Sequence, residues 1–194
     1  MNALAPRPAD SLESGAAFVD FILQTYATRG DAHYGEDVSQ SEHAEQCAFH
    51  ARNDGADETL VLAALLHDIG HLLHKQGEDA ADRGIDTHHE RIGAGFLARA
   101  LPEAVTQPIA LHVAAKRYLA TVDPTYLGRL SAASRQSFEL QGGLMSEAEL
   151  AAFRADPWHA AAMKLRAYDE MGKTVGAQIP SFASYEPMLR ALAR

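Results

Sequence analysis

Residues 58–74, ETLVLAALLHDIGHLLH, constrain this chain more than any other stretch. Their alanine and leucine content favours helix, and the apolar positions cover almost the whole circumference instead of one stripe. A helix that is apolar all round has to be surrounded, so the rest of the chain must supply a shell of further elements packed on it. Into this apolar surface His67, Asp68 and His71 introduce three polar side chains. Burying them without partners is costly, which makes the same segment the first place to look for chemistry.

The shell also reads as helical. Glycine, proline and polar clusters separate stretches with apolar residues at helical spacing, and no stretch alternates with period two, so the class is all-α. We expect helices over 12–26, 41–54, 58–74, from an N-cap at Thr87 to 101, from Pro108 to 118, and near 146–155 and 158–171. Turn-rich residues 28–36, a polar connection over 77–86 and a loop over 123–134 lie between them. With 194 residues the chain suits one domain: an N-terminal helix and loop (1–40), a helical core (41–173) and an ordered tail (174–194).

Several classes are excluded or disfavoured. The longest apolar run, residues 60–66, is far short of the roughly 20 residues of a membrane span. The N-terminus lacks a basic region followed by an apolar stretch, so the expected compartment is the cytoplasm. A net charge of -9 argues against general affinity for nucleic acid. The single cysteine, Cys47, permits no internal disulfide and is read as a small apolar helix residue. A monomer or a homodimer fits equally.

One buried histidine usually has an ordinary hydrogen-bond partner. Here His67 and Asp68 are accompanied by His43, His89 and His112 on three other expected helices, and by Asp169 on a late one. Imidazoles and carboxylates of this kind are ligands for first-row divalent metals. Neighbours three or four positions from a ligand project to the same side of a helix. His71 follows His67 by four, Lys116 follows His112 by four, and Arg166 precedes Asp169 by three. Together they make an anion pocket suited to a phosphate or phosphonate, to which a hydroxyl such as Ser134 can add a neutral donor.

The adjacent His67 and Asp68, with a histidine on an earlier helix and an aspartate on a late one, resemble the HD-domain superfamily. The resemblance implies that His43, His67, Asp68 and Asp169 hold one metal, that His89 and His112 hold a second, and that Asp68 bridges them. Four histidines and two carboxylates without thiolate suit iron, although Mn, Ni, Co and Zn accept the same ligand types.

The strings HVAAKRYL from His112, residues 131–135, 141–143 and 164–173 are similar to the phosphonate-cleaving HD oxygenases of the PhnZ and TmpB type, a likeness spanning roughly 34–173. That resemblance implies a mixed-valent Fe(II)/Fe(III) pair, O2 as cosubstrate and oxidative cleavage of a carbon–phosphorus bond. It places phosphonate contacts on His71, Lys116, Ser134 and Arg166, and a tyrosine that covers the open iron on Tyr34, followed by Gly35 and Glu36. Glu36 and Gln40 are candidates for the cationic end of the substrate.

The favoured substrate is 1-hydroxy-2-(trimethylammonio)ethylphosphonate, giving glycine betaine and phosphate, with 2-amino-1-hydroxyethylphosphonate, giving glycine, as the alternative. Tyr26, Tyr34, Tyr168 and Trp158 are either core residues or faces for a quaternary ammonium. A metal-dependent HD phosphohydrolase, a polyol oxygenase with the same ligands, and a non-catalytic binding module are the rival readings.

Overall fold

The computed structural model describes residues 15–194, and every regular element among them is helical. The ten α-helices are α1 (Gly15–Arg29), α2 (Gln40–Asn53), α3 (Glu58–Leu66), α4 (Ile69–Leu73), α5 (His89–Leu97), α6 (Glu103–Val122), α7 (Ala132–Leu140), α8 (Glu147–Ala155), α9 (His159–Met171) and α10 (Glu186–Leu192). Short 3-10 turns occupy Tyr126–Gly128 and Phe182–Tyr185.

The apolar segment takes the central place its composition requires. All residues from Leu60 to Leu66 on α3 are buried, and α2, α6 and α9 pack around them. The main core continues from Phe18, Val19 and Ile22 on α1 to Leu189 on α10, so the tail is part of the packed body. Phe182 stacks on Tyr26 with ring centres 3.9 Å apart. Two smaller clusters, one of Ala115, Leu150, Phe153 and Ala162 and one of Ala120, Tyr126, Leu130 and Phe138, support the segment between α6 and α9.

Local chemistry accounts for several helix starts. Ser39 and Glu42 form a reciprocal capping box at α2, Ser146 and Glu149 do so at α8, and the Asp57 and Ser131 side chains cap α3 and α7.

The structure differs from the sequence expectation in several places. The helix expected over 58–74 is broken: α3 ends at Leu66, and Asp68, at φ -99 and ψ 7, leads into the five-residue α4. Alanine and leucine favour helix over most of this stretch, but a continuous helix would not present two successive side chains to one point. Thr87 does not cap α5, which begins at His89 after His88 in a left-handed conformation. Pro108 lies within α6, not at its start, and costs that helix one backbone donor. The expected loop over 123–134 holds the turn at Tyr126 and the start of α7, so Ser134 sits in the first turn of a helix. The first helix starts at Gly15 among the described residues and runs three residues beyond Tyr26, while the expected start at residue 12 lies outside them.

Candidate metal centre and anion cavity

Five elements bring the candidate ligands together. His43 comes from α2, His67 and Asp68 from the break between α3 and α4, His89 from the first position of α5, His112 from α6 and Asp169 from α9. The Asp68 carboxylate is central, with Oδ1 3.5 Å from His67 Nε2, 3.3 Å from His89 Nε2 and 3.6 Å from His112 Nε2, and Oδ2 3.7 Å from His43 Nε2. Asp169 closes one side, 3.4 Å from His43 Nε2 and 3.9 Å from His67 Nε2.

The imidazoles are oriented by the backbone. His43 Nδ1 meets the Gly172 carbonyl at 2.8 Å, His67 Nδ1 the Ala64 carbonyl at 2.9 Å, and His112 Nδ1 the Ile109 carbonyl at 2.7 Å. A carbonyl only accepts, so each Nδ1 carries the proton, and a neutral ring turns the lone pair of Nε2 inward. With both rings neutral, His43 Nε2 and His67 Nε2 face each other at 3.2 Å as two acceptors. His89 Nε2 and His112 Nε2 are 3.1 Å apart at the other end. Converging acceptors beside ionised carboxylates need a cation between them, so the residues fit a metal.

The carboxylates and His112 agree with this, whereas without a metal Cys47 and Asp169 raise His43 well above the ordinary imidazole value against its burial, so that ring takes up a proton when no other cation is present. Burial alone would raise the Asp68 carboxyl, but His67 and His89 hold it well below the usual range. Asp169 is likewise held down against burial, by Arg166 and His43. Burial, reinforced by His89 and His67, pushes His112 down to about 3 and keeps it neutral, the form in which an imidazole can bind a metal. Cys47 Sγ lies 3.7 Å from both ring nitrogens of His43, but burial raises the thiol and keeps it protonated.

Beside this cluster is a cavity of about 110 Å³. Lys116 and Arg166 line it and are themselves buried, with 4% and 3% of their surface exposed, which removes the expectation that cations on helix faces stay in solvent. Lys116 Nζ donates to Ser137 Oγ at 2.8 Å, and burial together with the Arg166 charge lowers it to about 7. Arg166 uses Nη1 on Asp169 at 2.5 Å and Nε on the Tyr126 hydroxyl at 2.9 Å and Glu170 at 3.1 Å. Its Nη2 is buried without a partner among the described residues, a donor fixed in place for an incoming acceptor. His71 stacks on His89 at 4.0 Å, and its buried Nδ1 is also unpartnered among the described residues. Burial and the neighbouring His89 hold it well below its ordinary value, so it is neutral.

The remaining expected residues also line the cavity, with particular engagements. The Tyr34 hydroxyl donates to the His71 carbonyl at 2.5 Å and its ring lies 4.6 Å from that of His71, so in this state it covers His71 and does not reach the carboxylates with its hydroxyl. Its backbone is left-handed, at φ 46. Gln40 is buried at the first position of α2 with Oε1 free of partners among the described residues. The Glu36 carboxylate accepts from Lys173 Nζ at 2.5 Å and from Ser131 Oγ at 2.7 Å. Ser134 Oγ accepts from the same Lys173 at 2.9 Å. Tyr34 is the one member of the expected aromatic set that lines the cavity. Tyr26 and Tyr168 are core residues whose hydroxyls go to the Leu65 carbonyl and to Asp54.

Four residues of this arrangement escaped the sequence reading: Lys173, Ser137, Tyr126 and Glu170. Lys173 follows Asp169 by four, and Glu170 follows Arg166 by four, so the spacing used for the other pocket residues would have found both. Tyr126 arrives from a turn, and no spacing announces it.

Fold and site together define an α-helical protein of the metal-binding kind, whose candidate ligands converge on an aspartate at a helix break beside a cavity lined by buried cations. The chain belongs to the HD-domain family, which matches residues 41–161. It is 43% identical over 168 residues, 86% of this chain and 84% of the relative, to a hydroxymethylphosphonate dioxygenase of Gimesia maris. It is 39% identical over 175 residues, 90% of this chain and 89% of the relative, to a glycine-betaine-forming 1-hydroxy-2-(trimethylamino)ethyl phosphonate dioxygenase of Leisingera caerulea. An uncharacterised protein of Acanthamoeba polyphaga mimivirus is 34% identical over 174 residues, 88% of this chain. No helix among the described residues is long and apolar enough to cross a membrane.

Proposed function

We propose that this protein is a non-haem diiron oxygenase that uses O2 to cleave the carbon–phosphorus bond of a small 1-hydroxyphosphonate. The observation that carries the reading is the pairing, in one cavity, of inward-facing His Nε2 atoms around Asp68 with the buried cations Lys116 and Arg166. Relatives of nearly equal length are named as dioxygenases of such phosphonates.

His43, His67, Asp68 and Asp169 would hold one iron, and Asp68, His89 and His112 the other. When bound there, a mixed-valent Fe(II)/Fe(III) pair would supply the reactivity toward O2 and the one-electron chemistry that closed-shell side chains lack. The chain's own residues bind and orient the substrate. Arg166 Nη2, Lys116 and Ser134 take phosphonate oxygens, and His71, neutral, contributes a ring nitrogen. Arg166 is held rigid by Asp169, Tyr126 and Glu170, so little freedom is lost when it binds. Tyr34, in a left-handed conformation beside Gly35, is the movable cover of the site. The hydroxyl-bearing carbon becomes a carboxylate and phosphorus leaves as phosphate, each product receiving one oxygen atom from O2.

The substrate favoured here is 1-hydroxy-2-(trimethylammonio)ethylphosphonate, which yields glycine betaine. Glu78 and Asp86 in the cavity lining, together with the Tyr34 ring, support a cationic end. A second reading, hydroxymethylphosphonate with formate as product, is favoured by the small cavity and the 43% identical relative. The whole chain is read as one domain.

The deciding experiment is anaerobic loading with iron, then exposure to O2 with each 1-hydroxyphosphonate, scoring phosphate and the carboxylic acid. Phosphate is expected only with O2, and the acid identifies the substrate. Phosphate release from an ester without O2, and none from a phosphonate, would make the protein a phosphohydrolase.

A further inference from the structure

The cations of the anion cavity are not equally available to an incoming dianion. Arg166 is already answered by Asp169 and Glu170. Lys116 is buried and sits near Arg166, and with a value of about 7 it carries only part of a charge at neutral pH. A third cation, Lys173, stands two residues beyond the end of α9 and lines the same cavity. Its ammonium is fixed by three oxygens: Glu36 at 2.5 Å, Ser134 at 2.9 Å and Ser131 at 3.1 Å. Two of those are hydroxyls, which can turn to donate to another acceptor, and the only charged partner among the described residues is Glu36 on the loop before α2. Lys173 therefore shares Ser134 with the phosphonate subsite and holds there a carboxylate, an anion that a phosphonate can replace.

We propose that Lys173 is a phosphonate-binding residue and that Glu36 is its counterion until the substrate arrives. The inference rests on the phosphonate reading of the cavity. Exchange of carboxylate for phosphonate keeps the ammonium paired throughout, which avoids leaving a half-buried charge exposed to the cavity without a partner. It also frees the loop that carries Tyr34, since the Lys173–Glu36 pair ties that loop to the end of α9.

A purely structural clip makes a different prediction, because a clip is lost equally from either end. The test is calorimetric titration of the iron-loaded protein with methylphosphonate, which lacks the hydroxyl group, under anaerobic conditions. Lys173→Met is expected to weaken binding by about tenfold or more, the scale of one charge-assisted hydrogen bond. Glu36→Gln removes the competing charge and is expected to tighten binding by about two- to threefold, on the same free-energy scale. Iron content and melting temperature of each variant report whether the fold is intact. Weaker binding in both variants to the same extent would overturn the assignment, and so would unchanged affinity in Lys173→Met. Should Lys173→Met fail to fold, the sign of the Glu36→Gln effect decides alone, with weaker binding overturning the proposal. A wild-type protein that neither binds methylphosphonate nor releases phosphate from a 1-hydroxyphosphonate would remove the functional reading and the inference with it. Binding by the wild type that Lys173→Met leaves intact would remove only the role of Lys173.

Discussion

At the level of single residues the cavity sets two charges against burial, and each has a measurable consequence. Lys116 is lowered to about 7 by burial and by Arg166, so above neutral pH the free site holds it largely as the amine. A bound dianion favours the ammonium and raises that value, so binding methylphosphonate at pH 8 should draw a proton onto Lys116. Calorimetry in buffers of different ionisation enthalpy measures this uptake, and its disappearance in Lys116→Ala isolates the lysine from the ligand's own titration. The same variant should bind the ligand roughly ten- to a hundredfold more weakly, the loss of one charge-assisted bond, with iron content unchanged. Equal loss of iron would show that Lys116 supports the metal site instead. Asp68 is the contrasting case, because its two oxygens lie within 3.7 Å of four imidazoles from four elements. Asp68→Ala is expected to abolish loading of both irons, and a variant that retained two irons per chain would refute the bridging role. These side chains were legible in the sequence because ligands and pocket residues recur at three and four positions on helices. Lys173 keeps the four-residue spacing from Asp169 although α9 ends at Met171, and it was overlooked, whereas Tyr126 obeys no such spacing. The engagement of Glu36 by Lys173 joins residues 137 positions apart, which local spacing does not reveal.

The element scale shows what spacing could not supply. A continuous helix from 58 to 74 is the natural reading of a run so rich in alanine and leucine, and the structure breaks it at the candidate ligand pair. Gly70 explains how α4 then reaches α5. A Cβ at this position would lie 1.9 Å from the His89 carbonyl oxygen and 2.6 Å from its carbon, so the glycine sets the approach of the helix that delivers a ligand. Gly70→Ala should cost about 1–3 kcal/mol through overpacking, with a melting temperature lower by roughly 2–12 °C for a chain of this size. It should also reduce the iron content by displacing His89. Gly95, exposed on α5 with nothing within 4 Å of an added Cβ, provides the control. Gly95→Ala should be neutral or stabilise by up to about 1 kcal/mol from helix propensity. If both variants melted and loaded iron alike, the close approach at Gly70 would have no energetic meaning.

For the whole molecule, the decisive fact is that the candidate ligand cluster draws on α2, the α3–α4 break, α5, α6 and α9, the helices that also surround the apolar centre. Without a metal, the Nε2 atoms of His43 and His67 face each other at 3.2 Å, His43 has to take up a proton, and two carboxylates stay charged beside them. That is a local cost which the packing of α3 has to offset. Metal binds the folded arrangement and not the dispersed chain, so it should stabilise the fold by about 2.7 kcal/mol at a hundredfold excess over its dissociation constant. For a chain of this size the difference corresponds to a melting temperature roughly 5–11 °C higher with iron than after chelation. Scanning calorimetry under anaerobic conditions, with and without chelator, measures it. Asp68→Ala supplies the internal comparison. It removes one of the unneutralised charges and the shared ligand together, so its melting temperature should not respond to chelator at all. A wild-type protein that melted identically with and without iron would mean that the converging imidazoles are satisfied by protons, in which case the site would be a hydrogen-bonded core and not a metal centre.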